Sequence, residues 1–285
     1  MGSIESLDLE CALWVRVSQD MKQHVDYQML LADSRGAECQ MSVDYTVAGG
    51  SQTGEVWIPV GEPPYPAIMF VHGGCWSSAF DLIHARGMCR AFADLGYWVW
   101  LPEYRRLGEP GGGWPATFDD IACAGEWLRQ RSSEDIDPHR LYLVGHSAGG
   151  HLALWLNGAS VQDGSKAEWR FTAPWQEIVG LAAITDLDRY GIGNAACQVS
   201  AAQLLQTAPP AIQATLSPMN HVMQSPVTLF FSEEDDIVST DQARLFGERH
   251  FCQLEQIAGA GHFDFIYPES TAGSAVLEYF EQRLQ

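Results

Sequence analysis

Residues 141–150 read LYLVGHSAGG, and no other run limits the fold as tightly. Four apolar strand residues lead into Gly145-His146-Ser147-Ala148-Gly149, and a helix-like stretch, 148–158, follows. Strand, G-x-S-x-G, helix is the context in which this motif carries chemical meaning. Ser147 would sit at the apex of a sharp, strained turn, its oxygen projecting beyond the sheet. Small residues two before and two after it let neighbouring backbone pass close by. The helix N-terminus then points its positive dipole at negative charge developing on a bound carbonyl.

Strand-like and helix-like runs alternate along the chain, which predicts a mainly parallel sheet covered on both faces. Residues 41–47 and 55–60 alternate apolar and polar side chains around AGGSQTG and read as an N-terminal hairpin. Residues 66–71 (PAIMFV) and 97–101 (YWVWL) are continuous apolar runs, as in strands buried on both faces. Residues 141–144, 178–184, 227–231 and 253–257 complete eight strands. Helices are expected over roughly 80–95, 117–131, 148–158, 240–250 and 270–284, with 186–222 irregular and at most a small cap. Residues 1–40 read as an extension packing on a single domain, 41–285.

A serine hydroxyl is a poor nucleophile until a base takes its proton, and histidine suits that role near neutral pH. Of nine histidines, His262 lies in Gly259-Ala260-Gly261-His262-Phe263, directly after the last strand. That loop can return the ring to the nucleophile, and the order Ser…Asp/Glu…His then requires a carboxylate between 147 and 262. His146 would point elsewhere at the turn, and His84 and His151 read as structural. Strand VTLFF ends in Ser232-Glu233-Glu234-Asp235-Asp236, four acids at one strand end. Ile68–Trp76 read IMFVHGGCW, a second strand that ends in glycines, where a carbonyl oxygen could approach the backbone closely.

With these motifs in place, the chain from about residue 54 onward resembles α/β hydrolases of the esterase and kynurenine formamidase (arylformamidase) group. His72-Gly73-Gly74-Cys75-Trp76 is similar to their HGGxW loop, and Glu103-Tyr104-Arg105 resembles the YR signature after the fourth strand. Trp114-Pro115 with Asp119-Asp120 matches the element leading into their next helix. The resemblance implies the α/β-hydrolase fold. It also implies an oxyanion hole from the backbone N–H groups of Gly74, Cys75 and Ala148, with His72 bracing the loop. It places the acid at Asp235, by aligning Val238 with the family's valine, and holds Asp236 in reserve. Tyr104, Arg105 and Asp120 are expected to brace structure. The chain departs from the family pattern at Cys75, at Ser232 in place of glycine and at Ser239 in place of proline, which loosens the substrate assignment.

The expected activity is that of a serine hydrolase cleaving small-molecule esters or amides with short acyl groups, either as a carboxylesterase or in the manner of an arylformamidase. Trp76 and Trp114 are the expected substrate-binding residues, and Trp175 could share an aromatic-lined pocket. No metal or organic cofactor is required. A non-catalytic ligand receptor on the same fold and a small serine peptidase are the competing readings. Forty leading residues cannot build the propeller of a prolyl-oligopeptidase.

A net charge of −20 repels phosphate backbones and anionic lipid, so neither nucleic acid nor membrane is an expected partner. A homodimer is the one assembly considered. No run of 18 apolar residues and no signal-peptide pattern is present, which points to the cytoplasm. Seven scattered cysteines without a CxxC pair read as free thiols.

Overall fold

The computed structural model describes residues 24–47, 50–131, 135–158 and 175–285. One eight-stranded sheet runs through it: β1 (Met41–Val47), β2 (Gly50–Trp57), β3 (Tyr65–Val71), β4 (Trp98–Pro102), β5 (Ile136–His146), β6 (Glu177–Leu181), β7 (Val227–Phe231) and β8 (Gln253–Gln256). Their order is β1-β2-β4-β3-β5-β6-β7-β8. β1 pairs antiparallel with β2 and β2 antiparallel with β4, while every pairing from β4 through β8 is parallel.

Helices cover both faces: α1 (Tyr27–Ser34), α2 (Arg86–Leu95), α3 (Ala116–Arg131), α4 (Ala148–Gly158), α5 (Leu187–Tyr190), α6 (Ala196–Thr207), α7 (Asp241–Arg249) and α8 (Thr271–Glu281). The period-2 geometry of β3 sorts the core in two. Met69 and Val71 join Trp100, Leu143, Leu152 and Trp155 on one side. Ile68 and Phe70 join Val99, Val144, Phe92 and Phe280 on the other. A strand buried on both faces has no place for a polar residue, so PAIMFV is continuous rather than alternating.

Several boundaries differ from the sequence expectation. β2 starts at Gly50, not residue 55, because Val47 pairs with Gly50 and the glycine-rich stretch extends the strand. Gly54 sits inside it because the Trp100 ring lies 2.2 Å from where its Cβ would be. β6 stops at Leu181, where Ala182 adopts φ 46 and its N–H crosses to Phe230. Residues 82–85 form a 3-10 turn before α2. The segment 186–222 carries α5, α6 and two short 3-10 turns, Gln213–Leu216 and Pro218–Asn220. Of the N-terminal extension, residues 1–23 lie outside the described residues. The part that follows forms α1, with Leu30 buried in the α2/α8 core.

Candidate active site

β5 ends at His146 and α4 begins at Ala148, which leaves Ser147 alone at φ 55, in the left-handed region that non-glycine residues avoid. Its backbone is held on both sides. The N–H donates to the Leu181 carbonyl at 2.9 Å, and the carbonyl accepts from the His151 N–H at 3.1 Å. The flanking glycines are there because nothing larger fits. A Cβ on Gly145 would lie 2.3 Å from the Gly149 carbonyl oxygen, and one on Gly149 would lie 2.0 Å from that of Val71.

The loop after β8 places His262 in the interior, with its Nδ1 2.8 Å from Asp235 Oδ2. The turn after β7 fixes that carboxylate. Asp235 Oδ1 accepts from the N–H groups of Ile237 at 2.9 Å and Val238 at 2.8 Å. The neighbouring acids face elsewhere: Asp236 is exposed, Glu233 pairs with Arg244, and Glu234 lies 3.5 Å from His24. His146 packs its ring 4.7 Å from that of His262. Burial, with His262 adding to it, pushes the His146 pKa well below the usual imidazole value, so the ring is neutral. It donates from Nε2 to the His262 carbonyl at 3.0 Å and so holds the backbone at His262.

β3 runs into a loop whose Gly74, Cys75 and Trp76 take φ of 107°, 55° and 53°. Gly74 is required: a Cβ there would lie 2.5 Å from Phe80 Cβ. Among the described residues, no acceptor pairs with the N–H of Gly74 or Cys75. His72 braces the loop, with Nδ1 2.8 Å from the Gly73 carbonyl and Nε2 2.8 Å from Glu103 Oε1. Burial pushes the Glu103 pKa up, but His72 and then Arg106 outweigh it and hold the carboxyl below its ordinary value. Tyr104 stacks on His72 and donates to its carbonyl at 3.0 Å, and Arg105 forks onto Asp120. Glu103 and Tyr104 thus brace the loop through His72.

The cysteines depart from the free-thiol expectation at one pair. Cys75 and Cys197 form a disulfide across 122 residues of sequence, tying the glycine loop to the first turn of α6. Sequence spacing gives no sign of this pairing, because the fold alone brings the two together. Cys39, Cys89 and Cys252 are free thiols, and Cys11 lies outside the described residues.

Ser147, His262, Gly74 and Cys75 line one small cavity of about 40 Å³. Tyr27, Phe80, His84, His146, Cys197, Ile237 and Phe263 complete its wall. The two expected substrate-binding tryptophans are not in it. Trp76 is wholly buried and donates from Nε1 to His151 Nδ1 at 3.2 Å. Trp114 packs against Phe118 and Trp155. Trp76 turns inward because its left-handed backbone aims the side chain toward α4, beneath the loop rather than above it. Trp175 sits under the Arg129 guanidinium, also away from the cavity. The aromatic surface comes instead from Tyr27, Phe80 and Phe263, with His84, read from sequence as structural, beside them, and none of the four was expected in the pocket. Phe263 adjoins the base and could have been found there. Tyr27 carries no local signal, since only the tertiary fold brings residue 27 near residue 147.

The BD-FAE family model matches residues 56–249, well over half of the chain and all of the glycine loop, the nucleophile turn and the acid turn. No curated protein gives a match. Solved structures share the fold at low identity. Esterase Est2 from Thermogutta terrifontis, solved with butyrate bound, is 23% identical over 88% of this chain and 94% of its own, with a TM-score of 0.70. The hyperthermophilic esterase of Pyrobaculum calidifontis is 19% identical over 90% of this chain and 89% of its own, with a TM-score of 0.71. An acetyl ester-xyloside bifunctional hydrolase from Caldicellulosiruptor lactoaceticus is 20% identical over 83% of this chain and 88% of its own, with a TM-score of 0.66. By its family match the chain belongs to the BD-FAE family, and its fold is the α/β-hydrolase fold of these esterases.

Proposed function

We propose that the protein is a serine hydrolase of small esters with short acyl groups, acting through an acyl-enzyme. The observation that carries this reading is the constellation in one cavity. A strained serine at a strand–helix turn shares it with a buried histidine whose far nitrogen is held at 2.8 Å by a fixed carboxylate.

The Asp235 contact orients the His262 ring and stabilises its charged form. His262 takes the proton of Ser147 as the serine oxygen attacks the substrate carbonyl. The oxyanion that forms is met by the N–H groups of Gly74, Cys75 and Ala148, fixed in advance by the braced loop and the start of α4. His262 then protonates the leaving group. A water activated by the same ring releases the acyl group and returns Ser147 to its starting state. Related folds support the chemistry: the Thermogutta esterase has been solved with butyrate, with propionate, and phosphonylated by sarin.

Size supports the short acyl group, since a cavity of about 40 Å³ holds roughly three water-sized atoms. The aromatic wall of Tyr27, Phe80 and Phe263 bounds the space for that acyl group. The HGGCW loop keeps an arylformamidase-like activity as the second reading within the same mechanism. The test is a p-nitrophenyl ester chain-length series run beside N-formylkynurenine. The short-acyl reading expects kcat/KM to be highest at two to four carbons. A maximum at eight carbons contradicts it, and turnover of the formyl amide at a comparable kcat/KM selects the formamidase form.

The proposal extends to a small-molecule partner, assembly as a homodimer and a cytoplasmic location. No helix among the described residues is long and apolar enough to cross a membrane. The Cys75–Cys197 disulfide weighs against a reducing compartment, where such a pair would rest as two thiols. Thiol titration of protein isolated under alkylating conditions decides between the two.

A further inference from the structure

The sequence gives residues 24–34 no chemistry, yet the structure seats them against the catalytic loop. Asp26 caps α1 by accepting from the Met29 N–H at 2.9 Å. Just before it, the Val25 N–H donates to Asp264 Oδ2 at 3.4 Å, and the same oxygen accepts from the Gly261 N–H at 2.8 Å. Gly261 has no room for a side chain, because a Cβ would lie 2.7 Å from His24 Cβ. The residue before the base therefore packs directly on the start of α1. At the other end Asp33 fills the space above Gly87 in α2, where a Cβ would meet Asp33 Oδ2 at 1.9 Å. Leu30, buried between these points, completes three fixed contacts for a two-turn helix.

This seating brings Tyr27 over the cavity. Its ring lies edge-on to Phe80 at 5.2 Å and tilted against His84 at 5.5 Å and Phe263 at 6.2 Å. The contacts run to Phe80, His84 and Phe263, so Tyr27 ties these three rings of the wall together around the space next to Ser147. His84 beneath it is buried, and burial, helped by His72, pushes its pKa down to about 3, so the wall carries no charge there near neutral pH. The wall between Phe80, Tyr27 and Phe263 thus presents aromatic carbon, and Tyr27 joins it from the N-terminal side of the matched family region, as Phe263 does from the C-terminal side.

We propose that Tyr27 is the specificity-determining residue of the site, its ring setting the length of the group held beside the scissile carbonyl and confining substrates to acyl groups of about two to four carbons. This rests on the serine-hydrolase reading. The geometry makes a directional claim. Removing the phenol ring joins its volume to a cavity that now holds only a few atoms, and the new space is lined by Phe80 and Phe263. A longer alkyl chain then finds apolar surface, at roughly fourfold in affinity per methylene buried.

The test measures kcat/KM for p-nitrophenyl acetate, butyrate and hexanoate with the wild-type chain and with Tyr27→Ala, Tyr27→Leu and Tyr27→Phe. The proposal expects the hexanoate-to-acetate ratio to rise about tenfold or more in Tyr27→Ala, through KM for hexanoate rather than kcat for acetate. Tyr27→Leu should show the same trend more weakly, and Tyr27→Phe should keep the wild-type profile. An unchanged ratio in folded Tyr27→Ala or Tyr27→Leu overturns it, and so does a ratio that shifts equally in Tyr27→Phe. A parallel arm separates this claim from the hydrolase reading. Acetamide and hexanamide are titrated by NMR against Ser147→Ala with and without Tyr27→Ala. Tighter hexanamide binding only where Tyr27 is removed supports the Tyr27 assignment even if no ester is turned over. Equal binding in both backgrounds contradicts it.

Discussion

The turn that carries Ser147 and the aromatic wall line the same 40 Å³ cavity and are built in opposite ways. The turn is local: ten consecutive residues supply the strand, the strained serine, both glycines and the helix start. The wall is assembled from afar. Tyr27 comes from α1, Phe80 and His84 from the segment after the glycine loop, Cys197 from α6 and Phe263 from the C-terminal loop. In the proposed function, chemistry that must be positioned within tenths of an ångström is carried on contiguous backbone, whereas selectivity is distributed over elements that can vary one at a time. The comparison predicts that changes at the turn abolish turnover across all substrates, and that changes in the wall redistribute it among them.

The largest expected effect belongs to the turn. Ser147→Ala should lower kcat by about 10⁴ or more for every ester in a panel, with the melting temperature little changed. A loss confined to some substrates would place Ser147 in the wall instead. Next comes the acid turn. Asp235→Asn should cost about 10³–10⁴ in kcat, since it removes the oxygen that orients His262, while Asp236→Asn, an exposed neighbour, should change kcat less than about twofold. Equal losses in the two variants would show that the 2.8 Å contact does not govern the base.

The disulfide joins the two regions and should give an intermediate effect. Cys197→Ser frees α6 from the loop that offers the Gly74 and Cys75 N–H groups. About a tenfold fall in kcat/KM is expected, matched by treating the wild-type chain with dithiothreitol, with the variant itself insensitive to the reductant. The smallest effect falls on stability. His84 in the wall and His151 beneath the turn are held by burial at a pKa of about 3, against about 6.5 in an unfolded chain. The unfolded state takes up protons over that interval that the folded state refuses. Their contribution is therefore complete above about pH 6.5 and is lost as pH falls toward 3. Thermal midpoints should decline steadily from pH 7 to pH 4, and His84→Leu should flatten part of that decline.

How much of this was legible in the sequence follows the same division. Ser147, the glycine loop and the eight strands declared themselves because each depends on neighbours within a few residues: an apolar run, a turn glycine, a helix start. Asp235 needed a family alignment to be chosen over Asp236, since four adjacent acids share one local pattern and only the turn geometry points one of them at His262. The tryptophans misled because aromatic residues near a site serve the core as readily as the pocket, and the left-handed backbone at Trp76 decides which. The Cys75–Cys197 pair and Tyr27 were illegible: their partners lie 122 residues away in one case and at residues 80, 84 and 263 in the other.

The central claim is that His262, held by Asp235, makes Ser147 nucleophilic. The most direct measurement is covalent labelling with a fluorophosphonate, with the adduct mapped by mass spectrometry in the wild-type, Asp235→Asn and His262→Ala chains. The account predicts a single adduct on Ser147, formed fast in the wild type, more slowly in Asp235→Asn and scarcely at all in His262→Ala. An adduct on another serine, or labelling of Ser147 at the same rate in all three chains, would contradict it.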